Sequence, residues 1–357
     1  MIAEGLCAAW CRHDLLFREP AVTSRAVMHN KETWFVKLWH RDNPEHFGIG
    51  ECGLFRGLSA DDRTDYGEIL ARVCASVSNG EPMPVFSGLP SMKFGFETAL
   101  LDLAGGGRRI LYDNPWSRGE SAITINGLVW MGSEEEMTRR MALKLEAGFR
   151  CIKIKIGGID FDRELALLRT LRAAFSPADV ELRLDANGAF RPEEALERLE
   201  LLATLGIHSI EQPIRAGQYG EMQRICRLSP IPVALDEELI GIEGIGNKRR
   251  LLEQLQPAYI ILKPSLCGGI EGSKQWITAA ERAGAGWWLT SALESNIGLN
   301  AIAQFAAHLG VTMPQGLGTG ALYTNNIPSP LVQERDILRT DPARGWDLSM
   351  LQWNIPS

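Results

Sequence analysis

The chain has 357 residues, 45% of them hydrophobic and 23% charged, and carries a net charge of −7. That balance fits an ordinary soluble globular protein, favours small-molecule partners and argues against a nucleic-acid binder that relies on a basic surface. No run of about 18 apolar residues and no basic segment followed by a long apolar one occurs, so neither a membrane span nor a signal peptide is expected.

Residues 34–39 run apolar or alternate, as a strand does, and 47–53 reads as a strand meeting a turn. Residues 61–77 have helical periodicity with Ser59 placed to cap them, and 94–103 reads as a second, mostly buried helix. Together these predict an α+β domain over residues 1–115. Residues 21–31, which include Thr23, Ser24 and Arg25, lie between apolar runs and read as a loop.

From about residue 121 the pattern is regular. Strands are expected at 122–127, 151–157, 180–187, 209–213, 231–237, 258–264 and 287–294, with a weak eighth near 315–318. Helical stretches separate them, including 160–175 and 191–205, and Ser133 with Glu136 forms a capping box. A repeat of about 25 to 30 residues is one βα unit, so residues 116–322 predict a parallel (β/α) barrel. An open doubly wound sheet is less favoured, because no Gly-rich phosphate loop follows an early strand. Residues 323–357 are irregular and expected to return onto the N-terminal domain. The seven cysteines are scattered without a CxxC, which reads as reduced thiols in the cytoplasm.

The strand at 151–157 carries Lys153 and Lys155 on one face and Ile152, Ile154 and Ile156 on the other. Two buried ammonium groups are costly unless carboxylates or a site justify them. The later strands end in Asp185 and Asn187, Glu211, Asp236 and Glu237, Lys263, and Ser291 with Glu294. In such barrels the site forms at the C-terminal strand ends. Asp185, Glu211 and Asp236 on successive strands suit a hard cation such as Mg²⁺; the other reading is salt bridges to the lysines. None of the six histidines falls at a strand C-terminal end. A lysine beside a dication and a second ammonium loses pKa and becomes a base. Lys155 and Lys263, on roughly opposite strands, fit proton abstraction α to a bound carboxylate. Arg183, two residues deeper than Asp185, is a buried ion-pair partner or a substrate contact. Glu237 and Glu294 read as partners of the lysines, or, for Glu294, as a cap for the helix starting near Asn296. Cys267, Trp287 and Trp288 read as packing.

The ordered set Lys-x-Lys, Asp-x-Asn, Glu-Gln-Pro, Asp-Glu and Lys-Pro resembles the enolase superfamily, in its muconate lactonising enzyme subgroup. Here it is Lys153/Lys155, Asp185/Asn187, Glu211-Gln212-Pro213, Asp236-Glu237 and Lys263-Pro264. The resemblance covers nearly the whole chain. It implies a (β/α)7β barrel with a capping domain built from the N-terminus and the C-terminal return. It also implies Mg²⁺ (or Mn²⁺ as substitute) on Asp185, Glu211 and Asp236, a carboxylate substrate, and Lys155 and Lys263 as catalytic lysines with Lys153 beside them.

Further stretches are similar to the subgroup's dehydratase of a cyclohexadiene carboxylate in menaquinone biosynthesis: Leu262 through Gly269, Thr290 through Leu299, Ile125-Asn126-Gly127-Leu128, and Gly316-Leu317-Gly318-Thr319-Gly320. There Lys155 would act as base and then acid, and Lys263 would stay charged. Gly318, Ser291, Asn187, Arg183, Glu237 and Glu294 would line or support the substrate site. An N-acylamino-acid racemase or a dipeptide epimerase would use the same lysines. A Schiff-base lyase and a barrel kept only as a binding module are more remote readings. One departure is Cys52-Gly53-Leu54-Phe55, where relatives often carry an Ala/Pro-containing loop that contacts substrate.

Overall fold

The computed structural model describes residues 5–22 and 27–356. Its first unit is an antiparallel sheet in the order β1-β2-β3, formed by β1 (Leu6–Val22), β2 (Val27–His40) and β3 (Asn43–Cys52). Two helices pack on it, α1 (Tyr66–Ser78) and α2 (Pro90–Ala104). Helix α2 starts with a proline, whose missing N–H costs nothing in a first turn. It lies close on β3 because β3 presents glycines: a Cβ on Gly50 would come within 1.8 Å of the Gly95 carbonyl oxygen.

Three expectations for this unit change. Helix α1 begins at Tyr66, well after Ser59, whose hydroxyl instead accepts from the Phe55 N–H at 2.8 Å. A local turn captured the serine before it could cap. The expected loop at 21–31 is largely strand, with Ala21 facing Met28 and Lys31 facing Leu15. Its Thr23, Ser24 and Arg25 lie outside the described residues. Polar side chains on a long hairpin hide strand character, because one face is wet.

The second unit is a barrel. Seven parallel strands run in the order β11-β10-β9-β8-β7-β6-β5. They are β5 (Gly127–Val129), β6 (Cys151–Lys155), β7 (Glu181–Asp185), β8 (Ser209–Glu211), β9 (Val233–Leu235), β10 (Tyr259–Leu262) and β11 (Gly286–Leu289). Closure is made by residues 315–316, which bridge in parallel to Ile125 on one side and Thr290 on the other. The weak eighth strand is thus reduced to two bridges, with backbone bonds from Gly316 N to the Leu289 carbonyl and from Asn126 N to the Gln315 carbonyl.

The first barrel strand also differs. Residues Ile123–Thr124 form β4, which pairs outside the barrel with β13 (Ile337–Thr340) of a hairpin completed by β12 (Leu331–Glu334). The barrel strand is Gly127–Val129, with Ile125 just before it bridging to Gln315 at the seam. The tail expected to be irregular therefore contains a hairpin. Beyond it, Asn354 pairs with Trp10 of β1 by backbone bonds of 3.1 and 2.7 Å.

Helices α3 (Glu134–Glu146), α4 (Phe161–Ala174), α5 (Pro192–Ala203), α6 (Tyr219–Leu228), α7 (Ile245–Leu255), α8 (Gly269–Ala283) and α9 (Asn296–His308) follow the strands. The capping box of Ser133 and Glu136 opens α3. The outward strand residues Ile152, Ile154, Leu182, Leu184 and Ile210 are fully buried in the core shared with these helices. Each such side chain contributes about 1.5–3 kcal/mol. That burial holds the strands in place while their inward face is left to polar groups.

Candidate active site

Register brings the charges together. Lys155 pairs with Asp185, and Asp185 pairs with Glu211, across three adjacent strands. Paired positions in a parallel sheet point the same way, so all three side chains enter the barrel. Asp236 follows the end of β9 and Lys263 the end of β10.

The result is a chain of ion pairs. Lys153 Nζ lies 2.8 Å from Asp185 and 2.6 Å from Glu211. Lys155 Nζ lies 2.9 Å from the same Asp185 oxygen and donates to Asn187 Oδ1 at 2.6 Å. Lys263 pairs with Asp236. The salt-bridge reading of the carboxylates is therefore realised. Among the described residues no three carboxylate, histidine or cysteine side chains converge closely enough to hold an ion as they stand. The donor chemistry still suits one: Asp185, Glu211 and Asp236 are buried, offer only oxygen, and have no histidine or thiolate beside them.

Burial alone would pull Lys153 down, but Asp185, Glu211 and Asp236 outweigh it and hold the ammonium above its ordinary value. Lys155 ends below its ordinary value: burial lowers it, Asp185 opposes, and the charges of Lys153 and Lys263 add to the fall. Lys263 is pulled down by burial and lifted further by Asp236 and Glu211, ending above its ordinary value. Asp185, buried but flanked by Lys153 and Lys155, stays well below the usual carboxylate range. Glu211 moves up, through burial and the neighbouring Asp185. Two lysines in one cavity thus differ in sign of shift.

Supporting bonds fix this set. Asn187 Nδ2 donates to Glu237 Oε1 at 3.1 Å, which places Glu237 one step from Lys155, and the Glu237 charge also helps lift Lys263. The Gln212 side-chain oxygen accepts from the N–H groups of Asp236 and Glu238. Asn187 and Gln212, just beyond two of the carboxylates, hold left-handed backbone at φ 44° and 41°. Such backbone is uncommon outside glycine and clusters at sites that need it. On the other side of Lys155, Glu164 of α4 accepts from the N–H groups of Gly157, Gly158 and Ile159 at 2.7, 3.1 and 3.4 Å. That carboxylate clamps the loop leaving the lysine strand.

Arg183 points to the barrel floor. Its Nε donates to Glu181 at 2.7 Å, Nη1 to the Pro314 carbonyl at 2.9 Å, and the guanidinium lies 4.3 Å from the Trp288 ring centroid. It is a buried partner, away from the cavity. His208 precedes β8 and stacks on Tyr259 in the same floor. Trp288 and Cys267 are buried packing, as expected. Glu294 accepts from Ser265 and Ser291, and among the described residues it hydrogen-bonds no lysine. The cap of α9 is Ser295, whose hydroxyl accepts from Ile297 N.

One cavity contains Lys153, Lys155 and Lys263 together with Asn187, Ser291 and Gly318. Its apolar wall includes Met28, Phe55, Leu58, Trp130 and Leu293. Phe55 falls in the departure at residues 52–55 and Leu293 in the stretch Thr290 through Leu299. The others carry no local signature, because an apolar side chain reads as core until the fold shows it facing a cavity. Asn126, Thr290 and Thr319 also line this cavity, and each has a buried side-chain oxygen without a partner among the described residues.

The family model for the enolase C-terminal domain-like fold matches residues 136–346. The o-succinylbenzoate synthase of Desulfotalea psychrophila is 44% identical over 94% of this chain and 99% of its own length. The crystal structure of MenC from that bacterium superposes with a TM-score of 0.85 at 41% identity, covering 94% of this chain and 100% of that one. A dipeptide epimerase from Cytophaga hutchinsonii, solved with Mg and the dipeptide D-Ala-L-Val, has a TM-score of 0.81 at 22% identity over the full length of both chains. Among the described residues, no helix is long and apolar enough to cross a membrane.

Proposed function

The chain belongs to the enolase C-terminal domain-like family, and from that premise we propose that it is an o-succinylbenzoate synthase. The reaction is the syn-dehydration of 2-succinyl-6-hydroxy-2,4-cyclohexadiene-1-carboxylate to 2-succinylbenzoate, a step of menaquinone biosynthesis. We assign residues 1–115 and the 323–357 return to the capping unit and 116–322 to the catalytic barrel. We place the enzyme in the cytoplasm, where its seven free cysteines stay reduced.

The observation that carries this reading is the meeting of Lys155 and Lys263 in one cavity of a chain 44% identical, over nearly its full length, to an o-succinylbenzoate synthase. Lys155, lowered by burial and by its cationic neighbours, is the group able to accept the ring proton. Protonated, it then donates to the hydroxyl leaving the same face; the C–H and C–O bonds break, water departs and the ring becomes aromatic. Lys263, held charged by Asp236, keeps its proton and stabilises the negative charge that builds on the enediolate. An epimerase would need both lysines to exchange protons, and a Schiff-base lyase would need a free amine; the dipeptide epimerase structure matches at only 22% identity, against 44% over nearly the whole chain for the o-succinylbenzoate synthase.

Asp185, Glu211 and Asp236 would hold Mg²⁺, which supplies positive charge for the substrate carboxylate and the enediolate. Lys153, shared by Asp185 and Glu211, fixes those two carboxylates relative to each other. The apolar wall of Phe55, Trp130 and Leu293 excludes water and receives the ring. Purified protein with Mg²⁺ should convert the cyclohexadiene substrate to the aromatic product. Turnover of N-succinyl amino acids with none of the cyclohexadiene would replace this reading with racemisation.

A further inference from the structure

One polar joint between the capping unit and the barrel is closed. There Glu51 of β3 accepts from Ser295 N at 2.9 Å, Ser295 Oγ at 2.5 Å, Gly298 N at 2.9 Å and Thr33 Oγ1 at 2.7 Å. A second joint, built around Arg109 just past α2, is open. The backbone of Arg109 is pinned. Its N–H donates to Asp102 Oδ1 at 2.5 Å, and its carbonyl accepts from Asn300 Nδ2 at 3.0 Å and Gln304 Nε2 at 2.7 Å, both on α9. The side chain is 6% exposed; Nε pairs with Asp102 at 2.9 Å and Nη2 donates to the Phe47 carbonyl at 2.9 Å. Nη1 is buried and has no hydrogen-bond partner among the described residues.

An unbonded guanidinium N–H inside a protein leaves a charged donor desolvated, which is costly. Asp102 is already shared, because it also accepts from the Ile49 N–H at 2.9 Å. Burial lowers the Arg109 guanidinium below its ordinary value against the pull of Asp102, the sign of a cation short of compensating charge. Arg109 lines a cavity of about 190 Å³. Two more guanidiniums line it, from Arg108 of the same loop and Arg344 of the C-terminal return, and both residues are exposed to solvent. Arg344 pairs with Asp341 through Nε at 3.2 Å. Ser117, Thr340 and the half-buried Trp346 also line the cavity, and no acidic residue does. Three guanidiniums converging from two segments suit a tetrahedral oxyanion, whose several oxygens can each accept from a different donor.

We propose that this cavity is a binding site for a phosphate group, held by Arg108, Arg109 and Arg344, which ties the C-terminal return to the loop between cap and barrel. Nη1 of Arg109 supplies a donor that nothing else in the chain uses. This cavity shares no lining residue with the one that holds Lys155 and Lys263, so the proposal does not depend on the reaction.

The test is calorimetric titration of the Mg²⁺-saturated full chain with inorganic phosphate, beside thermal unfolding in phosphate and in chloride of matched ionic strength. Phosphate should bind one to one and saturably, and should raise Tm with concentration where chloride does not. Arg108→Gln and Arg344→Gln change exposed positions, so Tm without phosphate should stay within about 2 °C. Each should weaken phosphate binding about tenfold or more. Lys155→Ala should bind phosphate as the wild type does. Phenyl phosphate binding tighter than the free ion would support the site as one for an ester, and the reverse would support it as one for the ion itself. No saturable binding, or binding that both arginine variants leave unchanged, would overturn the proposal. Binding lost in Lys155→Ala would also overturn it, by putting the anion among the active-site lysines. Should Arg344→Gln not fold, Arg108→Gln decides alone. Failure to turn over the cyclohexadiene substrate would fault the proposed function and leave this site standing.

Discussion

Asn187 accepts from Lys155 at 2.6 Å through its side-chain oxygen, and it does so from left-handed backbone at φ 44°. The strand has ended, and the chain is bent so that an amide joins the Asp185 carboxylate against the base. A neutral acceptor orients the ammonium without adding charge that would raise its pKa. Asn187→Asp should therefore lift Lys155 and move the rising limb of the pH–rate profile to higher pH, because the base must lose its proton to work. A profile unmoved by this change would separate Asn187 from the base.

Lys155→Ala should remove dehydration by at least about a thousandfold while the circular dichroism spectrum is unchanged. Lys263→Ala should also be severe but should leave slow exchange of the ring proton with solvent, since Lys155 remains. Deuterium uptake into recovered substrate reads the difference. Equal, near wild-type turnover in both variants would dismiss the lysine pair.

Chelation should abolish turnover and added Mg²⁺ should restore it. Asp236→Asn should weaken Mg²⁺ binding by about tenfold or more, as titration calorimetry would register. In this variant Lys263 also loses its ion-pair partner, so its pKa should fall. Unaltered Mg²⁺ affinity would take Asp236 out of the ligand set.

Lys248 gives a stability prediction away from the chemistry. It is 2% exposed, donates to the Gly272 carbonyl at 2.7 Å, and burial lowers it from 10.5 to about 8. Between those two pH values the unfolded chain binds the proton and the folded chain releases it. Stability from this group is thus lowest below about pH 8 and rises as pH climbs toward 10.5, by about 2 kcal/mol after allowance for solvent. Urea melts should show that rise in the wild type and a flatter curve in Lys248→Met.

The polar strand ends were legible because a barrel strand is apolar on its outer face, so a charged residue at fixed register is conspicuous. Lys153, Lys155, Asp185, Glu211, Asp236 and Lys263 all emerge that way. Their pairing with one another was one of two readings open in the sequence, but the partners of the residues around them were not legible. Glu294 reads as a partner for lysines, yet its partners are the hydroxyls of Ser265 and Ser291, one of them 29 residues away. The barrel's first strand was misplaced by a few residues because Ile123 and Thr124 satisfy a strand pattern equally well against β13. Ser59 has the right chemistry for a helix cap, and a nearer N–H took it. Each miss is a choice between partners that local pattern cannot rank.

The bonds from Glu51 to Ser295 join residues 244 positions apart. Trp10 and Asn354 pair across a still longer separation. Contacts of such sequence separation form late, after the loop between them has been closed at an entropic cost. During synthesis the first sheet must therefore wait, its Lys31 and Glu51 still exposed to water, until nearly all of the chain has emerged. The barrel can pair its strands one after another, but Glu51 reaches Ser295 at the start of α9 only once both units have formed. The active site is thus a checkpoint on completeness: a nascent or truncated chain can hold all the catalytic lysines and still lack a competent site.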